Sequence, residues 1–282
     1  MQNTNTRSRR KRKNHHRRHR SFGAVMLTII LCAALCLGGI FAFIYFAGVR
    51  YITVKVSEEV YVKFLGMVDD EGNPYKGRII YSDGISAEVN LDRKQITYSN
   101  GDIYEGELSS NLLKEGEGKI LYANGDLYEG TFTHDTIDGQ GIYTYVNGDV
   151  YEGSFVSGVK EGTGVYTFAD GSVYSGGFAG DKKHGAGEYR YASGDVFAGT
   201  YENDLKDGYG TYTWANGDTY EGDFAADQRS GRGIYTWANG ERYEGEFQNN
   251  LMSGAGVYSW PSGREYSGYF ENGLIVRGTK AE

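Results

Sequence analysis

From Tyr104 onward the chain repeats itself every 23 residues, in a unit that reads Tyr-x-Gly-x-Phe, six connecting residues, Gly-x-Gly-x-Tyr-x-aromatic, then a turn such as Ala-Asn-Gly-Asp. The leading aromatics are Tyr104, Tyr128, Tyr151, Tyr174, Phe197, Tyr220, Tyr243 and Tyr266, and every interval is 23 except the first, which is 24. A period this strict demands a stack of like units, each burying its apolar face on its neighbours. The 43 glycines, 25 tyrosines and two prolines fit such a stack better than a compact enzyme.

Parity sets the local geometry. In the stretch Gly208 to Phe224, every glycine and large aromatic outside the turn falls on an even number, except Tyr209. Strand side chains alternate between faces. The stretch therefore predicts two strands with one aromatic and glycine face, and one polar face made by Thr211, Thr213, Thr219, Glu221 and Asp223. A three-residue loop, Ala215-Asn216-Gly217, with a left-handed glycine keeps the faces together and pairs Tyr212 with Tyr220. Continuing the alternation across a six-residue connection, Ala225 to Ser230, sets Phe224 opposite Gly231, Gly222 opposite Gly233 and Tyr220 opposite Tyr235.

These residues resemble the MORN repeats (membrane occupation and recognition nexus), whose unit is similar to Tyr-Glu-Gly-x-Trp/Phe followed by Gly-x-Gly-x-Tyr. Tyr104-Glu-Gly106, Tyr128-Glu-Gly130, Tyr151-Glu-Gly153, Tyr220-Glu-Gly222 and Tyr243-Glu-Gly245 carry the motif literally. Tyr174-Ser-Gly176, Tyr266-Ser-Gly268 and Phe197-Ala-Gly199 depart from it, which makes the motif structural rather than catalytic. The first unit is looser, with Leu108, Ile120 and a longer connection. The resemblance implies an all-β fold: an elongated, single-layer antiparallel sheet of seven to eight hairpin repeats over residues 96–278. Residues 51–95 are expected to form a β-rich linker or N-terminal cap.

No charged residue lies between Phe22 and Val49, and such a run exceeds the roughly 20 residues that span a hydrocarbon core as a helix. Residues 22–49 are therefore expected to be one transmembrane α-helix acting as a signal anchor. Nine Lys or Arg lie within the basic tail, residues 1–21, so the K/R bias places the N-terminus in the cytoplasm and the repeats outside a cell membrane crossed once. Ala34, Gly38 and Ala42 put small residues on one helix face, a pattern that favours close helix pairing. Both cysteines, Cys32 and Cys36, fall within this run, so the rest of the chain has neither a disulfide nor a thiol nucleophile.

Residues 51–282 hold 19 basic and 37 acidic residues, a net charge of −18. That balance argues against nucleic acid and anionic lipid as ligands of the repeats. The two histidines there, His134 and His184, stand apart and read as loop residues. The recurring Asp102, Asp126, Asp149, Asp195 and Asp218 follow the turn glycine and are explained by turn chemistry before calcium. No cofactor, metal or catalytic residue is expected. The expected function is a non-enzymatic interaction or scaffold protein, with a protein partner or self-association. The alternative is a cell-wall or glycan binder using the aromatic rows, with Trp214, Trp237, Trp260, Tyr212, Tyr220, Tyr235, Tyr243, Tyr258 and Tyr266 as the candidate surface. The uncovered aromatic face calls for curvature, a second chain or a ligand to cover it.

Overall fold

The computed structural model describes residues 22–56 and 60–276. The basic tail expected over 1–21 and the last residues of the expected array lie outside them. Two compact units are present, divided between Arg50 and Tyr51.

The first unit is a helix, Phe22–Phe46. The backbone turns out after it, where Gly48 adopts a left-handed φ of 78° and Gly48 N donates to Tyr45 O. Val49 already begins a strand, so the helix expected over 22–49 is three residues shorter. Among the described residues no helix is long and apolar enough to cross a membrane.

Among the described residues the second unit forms one antiparallel sheet of 21 strands. Each strand pairs with its neighbours in sequence, from Val49–Lys55 to Leu274–Ile275, so the chain meanders across the sheet without a crossover. The strands within residues 51–56 and 60–95 belong to this same sheet. Gly66 pairs with Gly77 and Phe64 with Ile79, both side chains fully buried, so the segment expected as a β-rich linker or N-terminal cap contributes paired strands to the sheet.

At the Ala-Asn-Gly turn the expected register is observed. Tyr212 pairs with Tyr220, Gly210 with Gly222 and Gly208 with Phe224. Trp214 N donates to Asp218 O at 2.9 Å, and Gly217 takes a φ of 93°. The other connection differs. Tyr220 does pair with Tyr235 and Gly222 with Gly233, but Phe224 lies opposite Arg229 instead of Gly231. The six-residue connection is a two-residue type I′ turn, Ala226-Asp227, with φ values of 46° and 68°. A bulge after Gly222 absorbs the excess residues, and Gly231 supplies its positive φ of 59°. The same turn recurs at Asn203-Asp204 and Asn249-Asn250.

Within this unit the described residues form a single layer, yet its core is closed to solvent. Tyr104, Tyr128, Tyr151, Tyr174, Phe197, Tyr220 and Tyr243 have zero exposure. Each ring lies flat over a cross-strand glycine pair: a Cβ added to Gly233 would stand 2.5 Å from Cε2 and Oη of Tyr220. From Tyr128 to Tyr243 a Phe or Tyr wedge then meets each ring edge-on from both sides. Phe224 lies 5.0 Å from Phe197 and 5.1 Å from Tyr220, and Phe247 lies 5.0 Å from Tyr220 and 5.2 Å from Tyr243, all near-perpendicular. The Tyr220 hydroxyl donates to Asp223 O at 2.9 Å, beside the bulge where the ladder is interrupted. Rings of the sheet itself therefore cover this row, and no second chain or ligand is needed to do so.

Candidate interaction surface

Beside the buried row runs a second aromatic band, half-buried and open to solvent along one side. It passes through Tyr143, Tyr145, Tyr166, Phe168, Tyr189, Tyr191, Tyr212, Trp214, Tyr235, Trp237, Tyr258 and Trp260, with neighbouring rings 4.2 to 6.0 Å apart. Seven of the nine residues expected to form a surface are partly exposed. Tyr220 and Tyr243 are not: fully buried, they hold up the band and cannot meet a ligand. Of the other seven, Tyr266 stands at the end of the buried row, against Phe270, and the rest form the C-terminal half of the band.

The bulge brings a set of cations into the space between the two aromatic rows. Lys160, Lys183, Lys206 and Arg229 recur at the same 23-residue period, a signal the sequence reading passed over. Lys160 Nζ lies within 5.7 Å of the ring centroids of Tyr145, Tyr151 and Tyr166, and Arg229 sits against Trp214, Tyr220 and Tyr235. Two of the lysines also meet an acid from the next type I′ turn: Lys160 reaches Asp181 at 3.5 Å and Lys206 reaches Asp227 at 3.0 Å. Burial pushes Lys183 below the usual lysine range, against the opposing pull of Asp204. The result is a shallow groove built from one cell per repeat, each with aromatic walls and a cation in the floor, paired with an acid at Lys160 and Lys206 and bonded to Asn250 O at Arg229. One cell, about Lys160, Phe168, Phe178, Lys183 and Asp204, encloses about 260 Å³.

The recurring aspartates prove to be clamps. Asp126, Asp149, Asp195 and Asp218 accept, through Oδ1, the backbone N–H of Val146, Ala169, Ala215 and Ala238 in the next hairpin. Their Oδ2 atoms accept the hydroxyls of Tyr143, Tyr166, Tyr212 and Tyr235. On the opposite side, Asp181, Asp204 and Asp227 of the type I′ turns accept the backbone N–H of Lys160, Lys183 and Lys206. Successive repeats are thus stitched at both ends of their strands. His134 sits in one of these turns, while His184 lies within the strand Lys182–Arg190 and pairs with Glu202 at 3.3 Å, which corrects its reading as a loop residue.

Backbone donors from the next turn hold Asp126, Asp149 and Asp218 below the usual carboxylate range. Their contribution to stability is complete above the unfolded value of about 3.9 and is lost as pH falls through the lower folded values. Melting temperature is therefore expected to be insensitive to these groups from pH 7 to about 4 and to fall below that. Exchanging Asp149 and Asp218 for asparagine should flatten the acid limb, and an unchanged limb would show that the clamps carry no linkage.

A model of the MORN repeat matches residues 104–127, 128–150, 151–173, 174–196, 197–219, 220–242 and 243–263, more than half of the chain. The chain belongs to the MORN-repeat family. MORN repeats are generally non-catalytic. No curated protein matches the chain. Among solved structures, the TCP10 domain of Danio rerio CPAP in complex with a peptide of STIL is similar at 17% identity and a TM-score of 0.39, over 69% of this chain and 83% of that one. The TCP domain of Drosophila melanogaster SAS-4, in complex with a proline-rich motif of Ana2, is similar at 15% identity and a TM-score of 0.31, over 69% and 89%. Likenesses this loose fix neither a site nor a partner for the MORN array. The sheet itself extends beyond the matched repeats, because the hairpins before Tyr104 and the strand Glu265–Glu271 continue it.

Proposed function

We propose that the protein is a non-enzymatic interaction protein, held at a membrane by its N-terminal helix, whose MORN array docks a segment of another polypeptide in the aromatic groove. The repeated cell carries this reading. Aromatic walls beside a cation offer contact area and orientation, but the same cell recurs along the groove, with no singular nucleophile or acid–base pair set apart from it among the described residues. In-cell photo-crosslinking tests it. A crosslinker at position 237, in the groove, is expected to give a discrete polypeptide adduct that position 211 on the polar face does not. Adducts from position 211 alone would overturn the groove as the docking surface.

The membrane reading rests on the helix Phe22–Phe46, which contains no charged residue, and on its large side chains, with Leu35, Phe41 and Phe43 each more than 70% exposed. The basic tail before it supports a cytoplasmic N-terminus and an extracytoplasmic array. Deleting residues 22–46 is expected to release the protein from the carbonate-washed membrane fraction. Protease added outside intact cells should digest the repeats, and full protection would overturn the topology.

A glycan reading is favoured by one feature: Trp214, Trp237 and Trp260 occupy equivalent places in consecutive repeats, beside the carboxylates of Asp218 and Glu241. Co-sedimentation with cell-wall polysaccharide, lost in the triple tryptophan-to-alanine variant, would favour it over a polypeptide partner.

A further inference from the structure

We infer, building on the groove as a polypeptide-docking surface, that its occupant is a proline-rich segment in the polyproline II conformation, flanked by basic residues. The first argument is the period of the groove. Each cell spans two strands, about 9.6 Å at the usual strand spacing. A polyproline II helix returns the same side to a surface every three residues, about 9.3 Å. Over the two intervals between the three indoles the mismatch stays under about 1 Å. An extended β-strand presents side chains to one face every two residues, about 6.7 Å, and an α-helix turns every 5.4 Å, so neither keeps step with the cells.

Hydrogen-bonding capacity points the same way. A segment lying across the strands meets a sheet interior whose backbone groups are committed to ladders on both sides. The tyrosine hydroxyls of the band are committed to Asp195, Asp218 and Glu241, and Lys160 and Lys206 are paired with aspartates. A ligand that needs many partners is poorly served here. Polyproline II has no internal backbone bonds and is preorganised by proline, so it asks for flat apolar walls and a few donors. Those donors are present: among the described residues the indole N–H groups of Trp214, Trp237 and Trp260 donate no hydrogen bond, and none of the three is buried. They can serve carbonyls on the same side of successive turns. The net −18 of residues 51–282 supplies the preference for basic flanks.

All three tryptophans of the protein lie in the groove, so indole fluorescence reports its occupancy directly. The full-length protein in detergent is titrated with an oligoproline of about twelve residues, four turns long, carrying arginines at both ends. The control replaces its prolines with alanine and glycine and keeps the arginines. Saturable binding of the oligoproline, at least about tenfold tighter than the control, is the expected result. Trp237→Phe keeps a ring and removes one donor, and is expected to weaken binding about five- to tenfold with little change in melting temperature. Equal binding of both peptides through the tryptophans would overturn the polyproline assignment and leave polypeptide docking standing. Binding of neither, with polysaccharide displacing the fluorescence instead, would overturn both.

Discussion

Gly233→Ala is expected to destabilise the array by about 3 kcal/mol or more, the upper end of what overpacking a core costs. The added Cβ would lie 2.5 Å from Cε2 and Oη of Tyr220 and 2.6 Å from its Cζ. That ring cannot swing aside, because Phe224 and Phe247 pin it at 5.1 and 5.0 Å and its hydroxyl is bonded to Asp223. In a repeat stack stability is a sum over units and their interfaces, so the damage should be local. Hydrogen exchange is expected to rise in the strands Thr219–Ala225 and Gln228–Thr236 and on towards the C-terminus, while the repeats before Tyr174 stay protected. Gly263→Ala is the control: its φ of 83° carries strain, but no atom lies within 4 Å of the new Cβ. If urea melts of the two variants coincide, the flat packing of ring on glycine is wrong.

The second large effect is expected at Phe224→Ala. Phe224 is the wedge between Phe197 and Tyr220, and it is 5% exposed. Removing it opens a cavity against two otherwise buried rings, at a cost of about 3 to 5 kcal/mol. Trp237→Ala removes a larger side chain from the half-buried band and should cost less in the same denaturation experiment. The order of these two values tests the division between a floor that holds the sheet together and a groove left available for contact. A reversed order would make the tryptophan band the core.

That division was the part the sequence concealed. Tyr212 and Tyr220 point to one face and pair with each other, so parity treats them alike. What separates them is depth: Tyr220 lies over Gly222 and Gly233, whereas Tyr212 stands up beside Trp214 and bonds to Asp195. The register at Ala215-Asn216-Gly217 was legible because a left-handed glycine is needed there. The type I′ turn at Ala226-Asp227 was not, since alanine at positive φ is an unusual choice, although Asn203-Asp204 and Asn249-Asn250 in sister repeats offered the hint. The bulge at Gly231 then moved Arg229 opposite Phe224 and brought the row of cations into the groove. Their period was readable all along at Lys160, Lys183, Lys206 and Arg229. The helix and the strands before Tyr104 were visible as an uncharged run and as Tyr75-Lys-Gly77, though the pairing of Gly77 with Gly66 needed the fold.

Because each strand pairs only with its sequence neighbours, the first and last strands lie at opposite edges of the sheet. Tension between those edges would load the ladders across their width, breaking bonds row after row rather than shearing a whole strand at once. The aspartate clamps reach from one hairpin to the next, so a strand would not peel alone; its partner turn would be tugged with it. Under a pull the sheet would lengthen in steps of one repeat, each releasing 23 residues of slack, and would act as an extensible tether with graduated give.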